Sequence, residues 1–410
     1  MTVNDNMEIA QATASQLLQY CLKARWAGHD PYDALNSRLF RALPFLDFKW
    51  ARLILTQAMK RSPINLRPLL LVPRTQNPKG LALFLSALVK LSRSGLLEFE
   101  TEIKDLAESL LSLQTRNSDY WCWGYSFDWQ TRTKLVPRGS PNIICTTFAG
   151  NALLDAYEKF AVSKYCDAAV SSADFVLEKL YCSEGKASWF SYTPLERQQV
   201  HNANLLGASF LCRVAFSTGE GKFLAPALEA ARFSTDRQNT NGSWYYGERE
   251  QPSQKWIDNF HTGFNLCALR KIGRFAQTME FESNVRRGLD YYVNNFFEAD
   301  GAPKYFADEK YPLDVHSAAQ SIITLVTLND LNPTNLDLAR SVFLWAMKNL
   351  WDDRGYFYYQ KHRHWTNRIC YLRWGQAWMF LALAVLLEAC NGTRSRANLN
   401  ELCAFEWTRS

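Results

Sequence analysis

Two kinds of helical pattern alternate along the whole chain. Six segments are apolar nearly all round and rich in Ala, Gly and Ser, which predicts helices buried on every side. Their starts lie 56 to 63 residues apart, and they are Pro78–Leu91, Pro141–Tyr157, Val200–Val214, Asp258–Leu269, Asp314–Leu328 and Arg373–Leu387. Each follows a segment that is apolar on one stripe and charged on the opposite face, which predicts a helix with one solvated side. These amphipathic segments are Glu8–Arg25, Glu100–Gln114, Lys164–Leu180, Phe223–Gln238, Glu280–Phe296 and Leu336–Leu350.

The alternation predicts an all-α protein. Its simplest closed form is an (α/α)6 toroid of six helical hairpins, with the buried helices inside and the amphipathic helices outside. An open solenoid is the alternative, and the lack of clearly polar capping repeats favours closure. We expect the first outer helix at residues 1–27, a long loop with a helix at 28–77, the remainder of a single toroid domain at 78–390, and a polar C-terminal tail at 391–410.

The links from outer to inner helices are much longer than the links in the other direction. In a toroid the long links all emerge at the end where the inner helices begin, and we call the concavity that they surround the cup. Loops on one face of a rigid scaffold commonly carry binding and chemistry. Several of these links hold short aromatic segments that predict extended hairpins: SDYWCWGYSFDW, KASWFSYT, NTNGSWYYGE and RGYFYYQKHRHW.

The tryptophans of these links fall into two groups. One group occupies equivalent positions in the repeat, which predicts packing between neighbouring helices; its members are Trp121, Trp189 and Trp244. The other group lies outside that position, which favours stacking against sugar rings in a cleft; its members are Trp129, Trp256 and Trp365.

Composition narrows the class of protein. A net charge of +6 from 46 basic and 40 acidic residues is too weak and dispersed to indicate nucleic-acid binding. The longest apolar stretches are far shorter than the roughly 20 residues that span a bilayer, and the amino terminus does not resemble a secretory signal. Ten cysteines without CxxC pairs indicate reduced thiols and a cytoplasmic location. We expect no metal and no cofactor, while peripheral contact with envelope assembly machinery stays open.

Asp258 and His261 are the first candidates for catalysis, because both fall in the first turn of the fourth inner helix. A helix N-terminus favours a charged carboxylate, so Asp258 is predicted to act as a base or to stabilise charge on the sugar ring. The alternative is that Asp258 only caps the helix, since Asp is a preferred N-cap residue.

Three further residues complete the predicted chemistry. Asp128 lies between two aromatic residues, and an apolar pocket would suit it as a general acid; a buried carboxylate satisfied by Arg132 is the alternative. His201 and His316 fall in the equivalent first turns of the third and fifth inner helices, which suggests a ring of histidines for proton transfer. His201 is therefore a catalytic candidate, and His316 a candidate for binding.

Candidates for substrate binding lie on the long links or in the first turns of inner helices. They are Trp129, Arg132, Asn202, Asn204, Tyr192, Tyr246, Trp256, His316, Trp365 and Arg368. In a lyase-like or epimerase-like arrangement, Asn and Arg would neutralise a uronate carboxylate while Tyr or His removes the C5 proton.

Several segments resemble known families. Gln238–Trp244 is similar to the QW repeat of squalene cyclases, although their DxDD motif is absent and no CH pair suggests the zinc site of prenyltransferases. The six-hairpin layout resembles (α/α)6 glycosidases, polysaccharide lyases and sugar epimerases. The segments DPYDALNS, KRSPINLRP, NPKGLALF, WGYSFDWQTR, PNIICT, HNANLLGA and WIDNFHTGF resemble proteins of bacterial capsule and exopolysaccharide loci, which implies a role in polysaccharide biosynthesis.

Three functional interpretations follow. The first is an enzyme acting on a possibly acidic glycan, by hydrolysis or by uronate lyase or epimerase chemistry. The second is a non-catalytic glycan-binding or assembly partner, and the third is a protein that binds isoprenoids or lipid-linked glycans. Two carboxyl groups about 5–10 Å apart would favour hydrolysis, a cup with His, Tyr and Arg but one carboxylate would favour a lyase or epimerase, and a cup packed shut by tryptophan would favour a scaffold.

Overall fold

The computed structural model of the chain describes residues 3–96, 98–131, 134–247 and 254–391. Its helices are, in chain order, α1 (Val3–Lys23), α2 (Arg38–Arg41), α3 (Lys49–Arg61), α4 (Pro78–Arg93), α5 (Glu100–Ser112), α6 (Ile143–Phe160), α7 (Ser163–Phe175), α8 (His201–Thr218), α9 (Leu224–Thr235), α10 (Asn259–Phe275), α11 (Glu282–Asn295), α12 (Val315–Thr327), α13 (Thr334–Leu350) and α14 at 377–391. The predicted tail lies outside the described residues, apart from its first position.

The inner helices form a closed ring. Helices α4, α6, α8, α10 and α12 each contact the next one, and the π-helical turn Leu372–Gln376 that leads into α14 contacts both α12 and α4. Small residues let neighbouring inner helices approach closely: a Cβ at Gly150 of α6 would lie 2.3 Å from the ring of Phe210 in α8. The prediction of an all-α (α/α)6 toroid is therefore confirmed, and the open solenoid is excluded.

Side-chain caps fix where the inner helices begin. The side chains of Asn77, Asn142, Asp258 and Asp314 each accept a hydrogen bond from a backbone N–H in the first turn of α4, α6, α10 and α12. Such caps satisfy N–H groups that have no partner within the helix. Because all inner helices begin at the same end of the toroid, the long links meet there and form the cup.

Short antiparallel pairs punctuate the long links, as predicted. They are β1 (Trp129–Gln130) with β2 (Leu135–Val136), β3 (Tyr181–Glu184) with β4 (Ala187–Phe190), β6 (Trp351–Asp352) with β7 (Tyr356–Phe357), and the three-stranded set β5 (Leu313–Asp314), β8 (Gln360–Lys361) and β9 (Thr366–Asn367). Trp189 and Trp244 are buried between helices, and Trp244 Nε1 donates to the backbone oxygen of Ser234 at 2.9 Å. Trp121 is only partly buried, because its neighbour Trp123 fills the equivalent interior position.

Two buried arginines anchor the long loop before α4. Arg373 at the start of the last inner helix holds the carboxylate of Asp30 through two hydrogen bonds of 2.5 and 2.8 Å. Arg67 binds Asp33 at 2.6 Å and also donates to the Asp30 backbone oxygen and to the Tyr371 hydroxyl. The loop is thereby fixed against the rim of the ring. Within the described ranges, no helix has the length and apolar character needed to cross a membrane.

Candidate functional site

Asp258 and His261 form a hydrogen-bonded pair at the N-terminus of α10. Asp258 Oδ1 accepts the backbone N–H of His261 at 2.9 Å, so Asp258 does cap the helix. Its Oδ2 contacts His261 Nδ1 at 2.6 Å and accepts the indole N–H of Trp256 at 3.0 Å. The cap and the contact with the imidazole therefore use the two oxygens of one buried carboxylate.

This pairing fixes the state of the imidazole ring. A carboxylate can only accept, so Nδ1 of His261 carries the proton and Nε2 presents a lone pair whenever the ring is neutral. In the described part of the chain, Nε2 makes no hydrogen bond with protein, and the His261 side chain is 22% exposed. Asp258 thus positions His261, and His261 is the group that is free to exchange a proton with a ligand.

Aromatic rings surround this pair. Tyr246 and Trp256 stack at a centroid distance of 4.4 Å, and Tyr246 lies 4.7 Å from the His261 ring. Together with Asn202 they line a narrow crevice beside Asp258. Burial raises the pKa of Tyr246 far above its ordinary value, so this phenol stays protonated at neutral pH and is unsuited to act as a base.

A second aromatic group lies on the links before α6 and α8. Tyr192 and Tyr125 join their hydroxyls at 2.9 Å, and Trp129 packs against both rings at 5.8 and 6.3 Å. All three side chains are partly exposed. They offer flat surfaces of the kind on which sugar rings stack.

Two other carboxylates of this face, those of Asp128 and Asp30, are already engaged. Asp128 pairs with Arg41 at 2.6 Å and accepts the Arg138 backbone N–H at 2.7 Å, so the predicted apolar pocket around it is wrong. The predicted partner Arg132 lies outside the described residues. Asp30 is held by Arg373, as described above.

Asp314 is a second capping carboxylate, at the start of α12. It accepts the backbone N–H of His316 at 2.7 Å, the amide of Gln360 at 2.7 Å and the indole N–H of Trp374 at 3.1 Å. Burial raises the pKa of Asp314 to about 6, although these hydrogen bonds act in the opposite direction. Its oxygens, like those of Asp30 and Asp128, are occupied.

The axis of the toroid below the cup holds two buried basic residues. His316 packs between Phe260 and Trp374 with both ring nitrogens unbonded, and burial, followed by the charges of Lys79 and Arg373, lowers the pKa of His316 well below its ordinary value. Lys79 places its ammonium over the rings of Phe148 and Trp378, at 4.7 and 5.0 Å. Burial and the charge of Arg373 lower the pKa of Lys79 to about 7.

Several predicted site residues lie away from the Asp258–His261 pair. His201 contacts Ser234 of outer helix α9 at 3.0 Å, and Asn204 donates to the same hydroxyl at 2.8 Å, so both join α8 to its outer partner. Trp365 stacks on His362 at the hairpin of β8 and β9. Arg368 lies over Tyr358. Because the His201 side chain lies against α9, the three histidines do not form a ring at one level, and that prediction is wrong.

The structure adds residues that the sequence did not single out as a site. Tyr32 packs 5.6 Å from Trp374 and accepts a hydrogen bond from Lys60 Nζ at 2.8 Å. Trp374 in turn packs on Phe260, the neighbour of His261. The only sequence signal for Tyr32 was its place in one of the segments quoted above for their resemblance, whereas Lys60 could be recognised as one of several basic residues on the long links.

A larger cavity of about 960 Å³ opens at the opposite end of the toroid. Its charged groups are largely joined in ion pairs, such as Arg213 with Asp155 and Glu158 at 2.7 and 2.8 Å. Phe148, Phe264 and Trp378 close its inner end. We therefore place the candidate site in the cup, where Nε2 of His261 has no hydrogen-bond partner among the described residues, and not in the larger cavity.

Neither a family model nor a curated protein matches this sequence. Among solved structures, the chain is similar to a cellobiose 2-epimerase from Bacillus thermoamylovorans, with a TM-score of 0.63 and 9% identity over 77% of this chain and 89% of that one. It is similar to an unsaturated glucuronyl hydrolase specific for heparin, with a TM-score of 0.63 and 12% identity over 93% and 97%. It is also similar to a GH76 alpha-mannanase from Bacteroides thetaiotaomicron, with a TM-score of 0.56 and 13% identity over 78% and 87%. At such identities the likeness is one of fold, and it agrees with the (α/α)6 toroid described above.

Proposed function

We propose that this protein is a carbohydrate-active enzyme that transfers a proton on a sugar substrate, in an epimerase-type or lyase-type reaction. His261 is the proposed proton-transfer residue and Asp258 the residue that positions it. The observation that carries the proposal is the Asp258–His261 contact of 2.6 Å, which leaves Nε2 unbonded at the cup.

The chemistry follows from the geometry of this pair. A neutral His261 would take a proton through Nε2 from a carbon next to a carbonyl or carboxylate group, and the ring would become an imidazolium. The Asp258 carboxylate on Nδ1 then stabilises the positive charge and keeps the ring oriented. Lys60 brings positive charge to the same cup, which favours an acidic sugar.

Glycoside hydrolysis is less well supported by the same contacts. It uses one carboxylic acid and one carboxylate that is free to act as a base or nucleophile. Asp30, Asp128, Asp258 and Asp314 each use their oxygens for a guanidinium, an indole, an amide or a helix cap. None of the four is presented to a substrate.

The aromatic surfaces define how a glycan would bind. The crevice beside Asp258 is too narrow for a sugar ring, so the ring would lie across its mouth, against Tyr246 and Trp256. Further sugars would stack on Trp129 and Tyr192. The similarity of several segments to proteins of capsule and exopolysaccharide loci supports a role in polysaccharide biosynthesis, and the scattered cysteines support a cytoplasmic location.

Deuterium exchange tests the reaction directly. The protein is incubated in D2O with reducing disaccharides and with uronate-containing oligosaccharides, and NMR follows incorporation of deuterium at ring carbons. We expect the wild-type protein either to incorporate deuterium, as an epimerase would, or to form the C4=C5 double bond of a lyase product, which the same NMR spectra detect. Asp258→Asn should slow either reaction about 10²–10⁴-fold. An asparagine caps the helix about equally well, but its NH2 group would donate to Nδ1 and move the proton to Nε2. The same NH2 group would leave the Trp256 indole N–H without its acceptor, so the free energy of unfolding should fall by about 1–3 kcal/mol while the protein stays folded.

The controls separate the competing functions. His364→Gln, at an exposed position between β8 and β9, should keep the wild-type exchange rate. New reducing ends with neither deuterium nor a C4=C5 double bond would show hydrolysis. Glycan binding without deuterium incorporation or double-bond formation would show a non-catalytic role, and either result would overturn the proposal. A collapse of stability in Asp258→Asn would assign that residue to the fold, and His261→Gln would then decide the catalytic question alone.

A further inference from the structure

Residues 38–76, in the long loop before α4, have an unusual surface. Of the fifteen large hydrophobic side chains that are exposed among the described residues, nine lie in this segment: Leu39, Leu43, Phe45, Phe48, Trp50, Ile54, Ile64, Leu69 and Leu71. Trp50 and Ile54 lie one turn apart on α3 and are 65% and 68% exposed. An apolar patch of this kind marks an interaction site on a protein surface.

The same segment carries the positive charge of the whole protein. It contains eight basic residues and one acidic residue, Asp47, and so has a net charge of +7, whereas the complete chain has +6. All other residues together therefore carry a net charge of −1. Arg38, Lys49, Arg61 and Arg74 are exposed and form no ion pair with a carboxylate of the described residues.

We propose that residues 38–76 form a docking surface for the headgroup region of an anionic membrane. Basic side chains interspersed with exposed Trp, Phe, Leu and Ile are the combination that holds a peripheral protein in this interface, with the rings and aliphatic chains inserted and the cations on the phosphates. Charge complementarity selects an anionic lipid surface over a second copy of the chain, because the exposed cations of two such segments, which have no carboxylate partner among the described residues, would repel each other.

The docking surface is joined to the cup by direct contacts. Arg41 pairs with Asp128, Arg52 donates to the Gln130 side chain at 2.8 Å, and Lys60 bonds Tyr32. A docked protein would therefore hold the rim of its cup beside the bilayer. This docking stands on the surface alone and does not depend on the proposed reaction.

Vesicle co-sedimentation tests the inference with the full chain. We expect binding to phosphatidylcholine vesicles that contain about 30% phosphatidylglycerol, at least tenfold weaker binding to vesicles of phosphatidylcholine alone, and weakening as salt rises from about 0.1 to 0.5 M. The double variant Trp50→Glu/Ile54→Glu should bind the anionic vesicles at least tenfold less. Met279→Glu is the matched control, because Met279 is 73% exposed on a short link at the opposite end of the toroid.

Circular dichroism checks that the variants are folded, which is expected because both altered side chains of the double variant are largely exposed. Absence of binding to anionic vesicles, or equal binding by the wild type and the double variant, would overturn the inference. So would a wild-type dimer that the double variant dissociates, because the patch would then be an interface between two copies. Equal loss in Met279→Glu would also overturn it, since the effect would then come from general charge.

Discussion

Replacement of Lys79 by methionine is expected to stabilise the protein, and to do so more at pH 6 than at pH 9. Lys79 is the second residue of α4 and is only 4% exposed. Its ammonium lies over aromatic rings and has no carboxylate within ion-pair distance in the described part of the chain. The positive end of the helix adds to the cost of a cation at this position.

The size of the effect follows from the pKa shift of Lys79. Burial, followed by the charge of Arg373, lowers its pKa from 10.5 to about 7. Each unit of pKa shift corresponds to about 1.4 kcal/mol, so below pH 7 the charged Lys79 side chain lowers the free energy of unfolding by about 5 kcal/mol. Contacts between the ammonium and the rings favour the same charged form, so they are part of this net shift and are not subtracted again. Lys79→Met should therefore gain about 5 kcal/mol at pH 6 and about 2 kcal/mol at pH 9.

The pH dependence has a definite sign. Between pH 7 and 10.5 the unfolded chain keeps the proton on Lys79 while the folded protein releases it, so the stability of the wild type rises with pH in this window. From pH 6 to pH 9 the wild type should therefore gain about 2–3 kcal/mol relative to Lys79→Met. Methionine cannot titrate, and its thioether packs well against rings.

Urea unfolding at pH 6 and pH 9, followed by circular dichroism at constant ionic strength, measures both quantities. The matched control is Lys90→Met on the same helix, where Lys90 pairs with Glu388 at 3.0 Å and is one-third exposed; its effect should stay within about 1 kcal/mol at both pH values. If the stability difference for Lys79→Met were the same at pH 6 and pH 9, or if the variant were less stable at pH 6, the buried charge would not have the assigned cost.

Three other outcomes are expected. Arg373→Met should cost about 3–5 kcal/mol in urea unfolding because it leaves Asp30 buried without its cation; a loss below 1 kcal/mol would contradict this. Gly242→Ala should lower the free energy of unfolding by about 2–4 kcal/mol, since φ is +90° and the new Cβ would lie 2.2 Å from a backbone oxygen of α11. The control is Gly139→Ala, at φ +77° in open space, which should lower it by only about 1 kcal/mol. The sequence LVPRGS at 135–140 matches a thrombin site, and cleavage after Arg138 should be much slower in the native protein than in urea, because β2 is paired with β1; equal rates would show that the hairpin opens freely.

Much of the fold could be predicted because the hydrophobic pattern of the sequence repeats about every 58 residues. Each of the six buried segments became an inner helix. The first, α4, begins at the predicted residue, the next four begin one or two residues later, after their caps, and α14 begins at 377, behind the π-helical turn Leu372–Gln376. At Asp258 the capping interpretation and the functional interpretation were offered as alternatives. The structure shows that one carboxylate both caps the helix and holds the imidazole, so the two interpretations are compatible.

The candidate site could be predicted only in part, because a helix turns by about 100° per residue. His261 is the third residue after its cap, His316 the second, and His201 the first after Val200. A shared first turn therefore does not give a shared direction: His261 lies at the cup, His316 on the axis, and His201 against the outer helix. Segment spacing alone could not fix these offsets without the position of each cap.

The ion pair between Asp30 and Arg373 also has a consequence for the order in which the protein folds. The two residues are 343 positions apart, so the first loop leaves the ribosome long before its anchoring arginine exists. Until residue 373 has been synthesised, the inner helices cannot form a closed ring. Residues 28–77, with their exposed aromatic side chains and positive charge, therefore have nothing to pack against. Contacts between such distant residues form slowly, and incomplete chains that expose apolar surface are prone to aggregate. Closure of the toroid is therefore expected to be a late step in folding, and truncation of the last hairpin should destabilise the first loop as well as the last helices.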